Sequence, residues 1–387
     1  MPAIPAAAAG QDVLAPTAGS RPGAAQQPQQ TSAPTRVDTC EELPKIRRAL
    51  PEGEADKPLA CLRSATEAEQ KEMLKGRSDQ KAQRPQLKKR VPVPNWCYDH
   101  VNGGWWAERF RACQVRTMVL DIYVADSGKP VGQIRYFEEG YVYSDAQNST
   151  WGSQLGIDKY DGWGLTGGVL VAGDAGCPGG CQAHGKLASQ FVTDKGIATG
   201  EWLVDSAVKD ATKPMVVKEI NKMKYHFFSP NWAKPSGWAR VASEPARCDN
   251  VMKRVKPGCV FPKHTPTMHS MKKLPSIADN IRRVQKEGPH HYGLKKADGN
   301  PLTRTTNAKV REVNRKIACP KSRPRPEGKS CDEYPFASTN QGASKTESPD
   351  WQWAWVPKEE NDKQGELIAL FYEEQRILNG NKFWVEV

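Results

Sequence analysis

Long apolar runs are missing from this sequence. Nowhere does it approach the roughly 18 consecutive apolar residues of a membrane-spanning helix, so a helical membrane protein is excluded. A recognisable export leader is missing as well, because Met1 to Gly10 is a small-residue stretch without a basic start or a sustained apolar centre. Paired Cys-x-x-Cys knuckles are absent, which argues against an ordinary structural zinc site. Histidine is scarce, with 7 in the chain and none after His291, so any base in the C-terminal segment must be another residue type.

Cysteine, by contrast, is plentiful. Cys40, Cys61, Cys97, Cys113, Cys177, Cys181, Cys248, Cys259, Cys319 and Cys331 fall into five near-neighbour pairs. That pattern predicts disulfides and an oxidising compartment, so the protein reads as secreted and extracellular on cysteine chemistry alone. Zinc is the rival reading only for Cys177 and Cys181, which enclose a Pro-Gly-Gly turn near His184. Basic charge is also plentiful: 56 Lys plus Arg against 44 Asp plus Glu leaves a net +12. Residues 261–330 hold 17 basic and 5 acidic side chains, whereas residues 331–387 hold 5 basic and 11 acidic ones. A basic segment abutting a carboxylate-rich one suits a metal-dependent enzyme acting on a phosphodiester polymer, since cations hold the polyanion and carboxylates hold a divalent ion. The plainer alternative is a solvated, disulfide-tied loop region.

With 387 residues the chain is too long for one ordinary domain, and its texture predicts an α+β protein in three parts. Residues 1–90 are rich in Ala, Pro, Gln and charge, with tracts such as Gln26–Gln30 and Lys81–Arg90, and read as a mostly disordered tail. Short helical pieces around Cys40–Cys61 and Ala65–Leu74 are the exceptions. Residues 91–262 are Trp- and Gly-rich, with short alternating runs at Thr117–Val124, Gly132–Phe137 and Gly140–Tyr143, and predict an all-β sandwich or barrel-like module. Its tryptophans, among them Trp96, Trp105, Trp106, Trp151, Trp163, Trp202, Trp232 and Trp238, read first as packing and second as stacking platforms for sugars or bases. Residues 263–387 begin with a basic helix capped by Ser276, whose Ile277, Ile281 and Val284 follow helical spacing until Gly288. His290 and His291 follow in a loop and read as solvated.

The last segment has the order strand, strand, helix. Cys331–Thr339 is an extended run carrying two adjacent carboxylates, and Trp351–Val356 alternates like a second strand ended by Pro357. An amphipathic helix then shows Leu367, Ile368, Phe371 and Tyr372 on one face, with Asn379-Gly380 as its predicted C-cap. Lys382–Val387 is a final strand.

Here Cys331–Thr339, the following Gln341-Gly342-Ala343, and the helix start Glu360–Gly365 resemble the NucA/NucB family of secreted bacterial deoxyribonucleases. Pro301–Arg304 and Cys319-Pro320 resemble the family's lead-in. The resemblance spans roughly the last 120 residues. It implies a ββα-metal nuclease core that hydrolyses DNA without marked sequence preference and uses a divalent cation, Mg²⁺ or Mn²⁺. In such sites the first strand presents a base and the helix an oxygen ligand. Without a histidine the base must be Asp332 or Glu333, which point to opposite faces of a strand, and Asp332 is the favoured choice. Asn361 matches the family's helix-start ligand, and Gln364, three residues on, shares its face. Glu360 and Asp362 are reserves, because helix starts attract carboxylates for structural reasons alone. Arg304, Arg311 and Arg315 are the expected phosphate contacts, and Cys319–Cys331 the expected disulfide at the mouth of the site. A secreted glycan- or polymer-binding protein with a degenerate nuclease domain, and the C-terminal warhead of an exported toxin with an immunity partner, are the alternatives. No membrane partner is expected.

Overall fold

The computed structural model describes residues 27–80 and 91–387. An eleven-stranded antiparallel sheet dominates it and curls into an open half-barrel. Four strands form one side of that sheet: β1 (Pro58–Ser64), β2 (Arg111–Val124), β3 (Pro130–Asp145) and β4 (Asn148–Gly164). The path ends in Ala239–Ala242 at one edge and Gln29–Gln30 at the other. The antiparallel β reading of the middle holds, and of the sandwich or barrel-like forms expected it is a curled, open half-barrel that the structure shows.

Alternation explains how one sheet supports two cores. Along β2, Ala112, Met118, Leu120 and Ile122 face a core containing Trp105, Trp151 and Trp202. The intervening Cys113, Val115 and Val119 face a second core with Met73, Val91, Cys97 and Phe137. Most of the tryptophans are therefore packing, although Trp163 and Trp238 are exposed.

The tail reading needs correction. Residues 1–26 and 81–90 lie outside the described residues, but β1 pairs with β2 along its whole length, and Leu59, Ala60, Cys61 and Leu62 are buried. Helix α1 (Glu67–Gln80) follows. Its start is a reciprocal box in which Thr66 N donates to Glu69 Oε2 at 2.7 Å and Glu69 N donates to Thr66 Oγ1 at 3.4 Å. A four-residue apolar run inside polar, Pro-rich sequence was too short to betray a strand.

A three-stranded sheet at one end of the module includes β5 (Ala246–Asp249) and β6 (Gly258–Val260). Beyond it lie helices α2 (Pro275–Glu287) and α3 (Ala308–Ala318), then β7 (Lys329–Tyr334), β8 (Gln352–Pro357), helix α4 (Lys358–Glu374) and strand β9 (Lys382–Val385). The β7–β8 hairpin is antiparallel, pairing Asp332 with Ala354 and Glu333 with Trp353. Both α2 and α4 pack on it, sealing Ile277, Ile281, Val284, Tyr334, Val356 and Phe371 into the terminal core.

Two end signals differ from the sequence reading. Ser276 lies inside α2 rather than capping it; the cap position is Leu274. Helix α4 stops at Glu374, where Arg376 adopts φ 44°, so Asn379-Gly380 forms a later turn rather than the C-cap. All five near-neighbour cysteine pairs are disulfides, Cys177–Cys181 and Cys319–Cys331 included, which removes the zinc reading.

Candidate active site

Strand alternation puts Asp332 and Glu333 on opposite faces of β7, and packing decides which of them meets solvent. The Asp332 face is covered by both helices. Asn280 of α2 donates to Asp332 Oδ2 at 2.7 Å, and Gln364 of α4 donates to Oδ1 at 2.8 Å. Asp332 is 1% exposed, and burial pushes its carboxyl upward against the pull of those two amides. It ties two helices to the hairpin and does not line the neighbouring cleft.

Glu333 does line it. The cleft has a volume of about 1240 Å³ and gathers Arg304, Arg311, Arg315, Glu333, Asn361 and Gln364, six of the residues nominated from sequence. Burial, and secondarily the adjacent Asp332 carboxylate, push the Glu333 carboxyl up to about 8, with Arg315 pulling the other way. Arg315 Nε stands 4.0 Å from Glu333 Oε1. The Cys319–Cys331 disulfide borders the same cleft, with Cys319 Sγ 3.7 Å from Glu333 Oε2. The expected order of the two carboxylates is thus reversed: Glu333 reaches the cleft and Asp332 stands behind it. Sequence gave the alternation, whereas the covered face depends on Asn280, 52 positions away.

Glu360 is committed elsewhere. Its carboxylate accepts from Ser276 N at 2.9 Å, Ser276 Oγ at 3.0 Å and Ile277 N at 3.4 Å, and so caps the start of α2. Asp362 pairs with Lys358 on the exposed side of α4 at 2.5 Å. His290 accompanies Asp350 at 2.5 Å and does not line the cleft; it is held rather than merely solvated.

The cationic side of the cleft is under-neutralised. Arg304 lies over the Tyr372 ring at 4.4 Å and donates to Ile377 O, and burial, with Arg311 nearby, lowers its pKa. Arg311 Nε is buried without a hydrogen-bond partner among the described residues. An unpartnered buried N–H is costly, and a phosphate oxygen is a natural acceptor for it. A second groove along α3 shares Arg311 and Arg315 and adds Lys321 and Lys316, the last paired with Glu312 at 2.7 Å. The cleft also has a wall that sequence reading missed: Val216, Val251, Met252 and Lys253 come from the β module.

The donors fit a hard cation. Gln364 spends its nitrogen on Asp332, and Asn361 donates to Ser330 Oγ at 2.9 Å, so each amide retains its oxygen for a ligand. Amide oxygens are hard donors of the kind Mg²⁺ and Mn²⁺ prefer. Among the described residues, the one cluster of three His, Cys, Asp or Glu ligand atoms is Cys40, Cys61 and Asp121, and its two sulfurs are consumed in a disulfide.

Residues 288–386 match the family model described as deoxyribonuclease NucA/NucB. The match takes in α3, the β7–β8 hairpin, α4 and β9, and leaves out the β module and helix α2. No curated protein and no solved structure matches the chain.

Proposed function

We propose that the chain is a secreted endonuclease that hydrolyses DNA phosphodiester bonds without base preference and depends on a divalent cation. One observation carries the reading: a partly buried carboxylate of raised pKa, Glu333, opens onto a cleft in which Arg304 and Arg311 have no carboxylate partner among the described residues. In its ionised form Glu333 accepts a proton from the attacking water, and its raised pKa makes it a stronger base than an exposed glutamate. Arg304 and Arg311 hold nonbridging oxygens of the scissile phosphate, and Arg315, 4.0 Å from Glu333, adds a third cation beside the base. Asn361 and Gln364 offer the amide oxygens that hold the cation. When bound, the ion supplies a Lewis acid that offsets charge on the phosphate. Asp332 orients Gln364 from behind, as outer-shell groups do. All these contacts are to phosphate and water, so none reads a base.

The test separates holding from cutting. Arg304→Ala with Arg311→Ala should weaken binding of a labelled duplex and flatten its salt dependence, whereas Glu333→Gln should still bind the duplex but cut it at least 100-fold more slowly. Folded Glu333→Gln that cuts at the wild-type rate would overturn the assignment.

A further inference from the structure

The β module supplies part of the cleft through one loop. Residues 249–258 join β5 to β6 and are closed by the Cys248–Cys259 disulfide. The loop carries Lys253, Arg254 and Lys256, all exposed, against a single acid, Asp249, which is fully buried. Lys253 lines the cleft beside Val251 and Met252. Among the described residues Lys253 has neither a hydrogen bond nor an ion pair. The acidic lining of the cleft is Glu333 and Glu373, against Lys253, Arg304, Arg311 and Arg315. Concentrating like charge in a concave surface is unfavourable without an anion and attracts one.

The loop is fixed relative to the chemistry. Arg376, two residues past α4, is 0% exposed, and its guanidinium grips the loop at both ends. Its Nη2 donates to Asp249 Oδ1 at 2.5 Å and to Asp249 O at 2.7 Å, its Nε donates to Asp249 Oδ2 at 3.0 Å, and its Nη1 donates to Lys256 O at 2.9 Å. Arg109 and Arg247 of the β module close the joint from the other side, donating to Arg376 O at 3.0 and 2.5 Å. The helix that presents Asn361 and Gln364 is therefore locked at its far end to the loop that presents Lys253. Removing one partner of so buried an ion pair is strongly destabilising, so the two parts are held as one body.

We propose that the 249–258 loop is a second phosphate-binding wall of the nuclease cleft, with Lys253 contacting the backbone of the DNA that Arg304 and Arg311 hold. The inference rests on the nuclease reading. It makes the β module part of the substrate site rather than a separate appendage.

The test is the salt dependence of duplex binding by the full, oxidised chain in EDTA, followed by fluorescence anisotropy. Lys253→Glu should weaken binding severalfold or more and lower the slope of log K against log salt by about one, the value for one lost phosphate contact. Lys129→Glu makes the same charge change at the opposite end of β2, roughly 45 Å of strand from the joint, and should change neither. Equal slopes and affinities for wild type and Lys253→Glu, or an equal loss in Lys129→Glu, would overturn the loop assignment. Cleavage is read in parallel with Mg²⁺. A wild-type chain that binds through Lys253 but never cuts supports the wall and sinks the nuclease reading, while a chain that binds no DNA overturns both.

Discussion

Replacing Glu333 by glutamine should make the protein more stable while removing its activity. The carboxyl is 17% exposed as a side chain, and its pKa rises to about 8 in the fold from an ordinary 4.5. Between those two values the folded chain keeps a proton that the unfolded chain has released. Folded stability therefore falls as pH rises through that window and is level on either side of it. At about 1.36 kcal/mol per pH unit, the deficit at pH 9 reaches at most about 5 kcal/mol. Glutamine keeps the volume and cannot ionise. Urea unfolding of the metal-free, oxidised chain should thus give similar midpoints for wild type and Glu333→Gln at pH 4, and a higher midpoint for the variant at pH 9. The contrast should be clearest in a probe of the terminal domain, since two linked units need not unfold together. A variant no more stable than wild type at pH 9 would mean that Glu333 is not an acid held protonated by the fold, and the reasoning that makes it the base would fail with it.

Other outcomes follow from the same geometry. Activity needs the ionised form of Glu333, so kcat/KM should rise with pH along an acid limb whose midpoint lies above that of an ordinary glutamate, and a limb centred near 4.5 would contradict the assignment. Glu360→Ala should cost about 1 kcal/mol or more by uncapping α2 and leave the cutting rate of the folded protein within a few fold, as thermal denaturation and a nicking assay would show. Asp332→Asn should lower kcat by about tenfold through a misplaced Gln364, a smaller loss than Glu333→Gln, and the reverse ranking would restore Asp332 as the base. Deleting residues 1–66 removes β1 and the Cys40–Cys61 disulfide and bares one edge of β2, so the product should be insoluble or molten by near-ultraviolet circular dichroism.

How much of this the sequence shows depends on how far apart the partners lie. The terminal hairpin and helix are local patterns that show the Asp-Glu pair, whereas Asn361 was named from the family resemblance and Gln364 from its place three residues on. Cysteine spacing suggested near-neighbour disulfides without fixing their connectivity, and the structure closes all five near-neighbour pairs. Sequence could not say which carboxylate is covered, because that is decided by Asn280 on a helix outside the hairpin. Glu360 looked like a helix-start acid of its own helix, yet it caps a different one, 84 positions earlier. Nothing in the sequence marks Arg376, and only the tertiary joint to Asp249, 127 positions away, shows it to be the lock between the two parts. The loop between Cys248 and Cys259 lies before the basic segment that charge counting picks out, residues 261–330. Its position over the cleft was not legible either, since nothing local to it specifies a neighbour in the terminal domain.

The central claim is that this chain cuts DNA through Glu333 with a divalent cation. The most direct measurement is plasmid cleavage by the purified, oxidised full-length chain with Mg²⁺ or Mn²⁺, with EDTA, and with the Glu333→Gln variant alongside. Nicking followed by linearisation in metal, abolished by EDTA and reduced at least 100-fold in the folded variant, is the expected result. Intact plasmid with wild type in both metals, or equal cutting by wild type and variant, would contradict it.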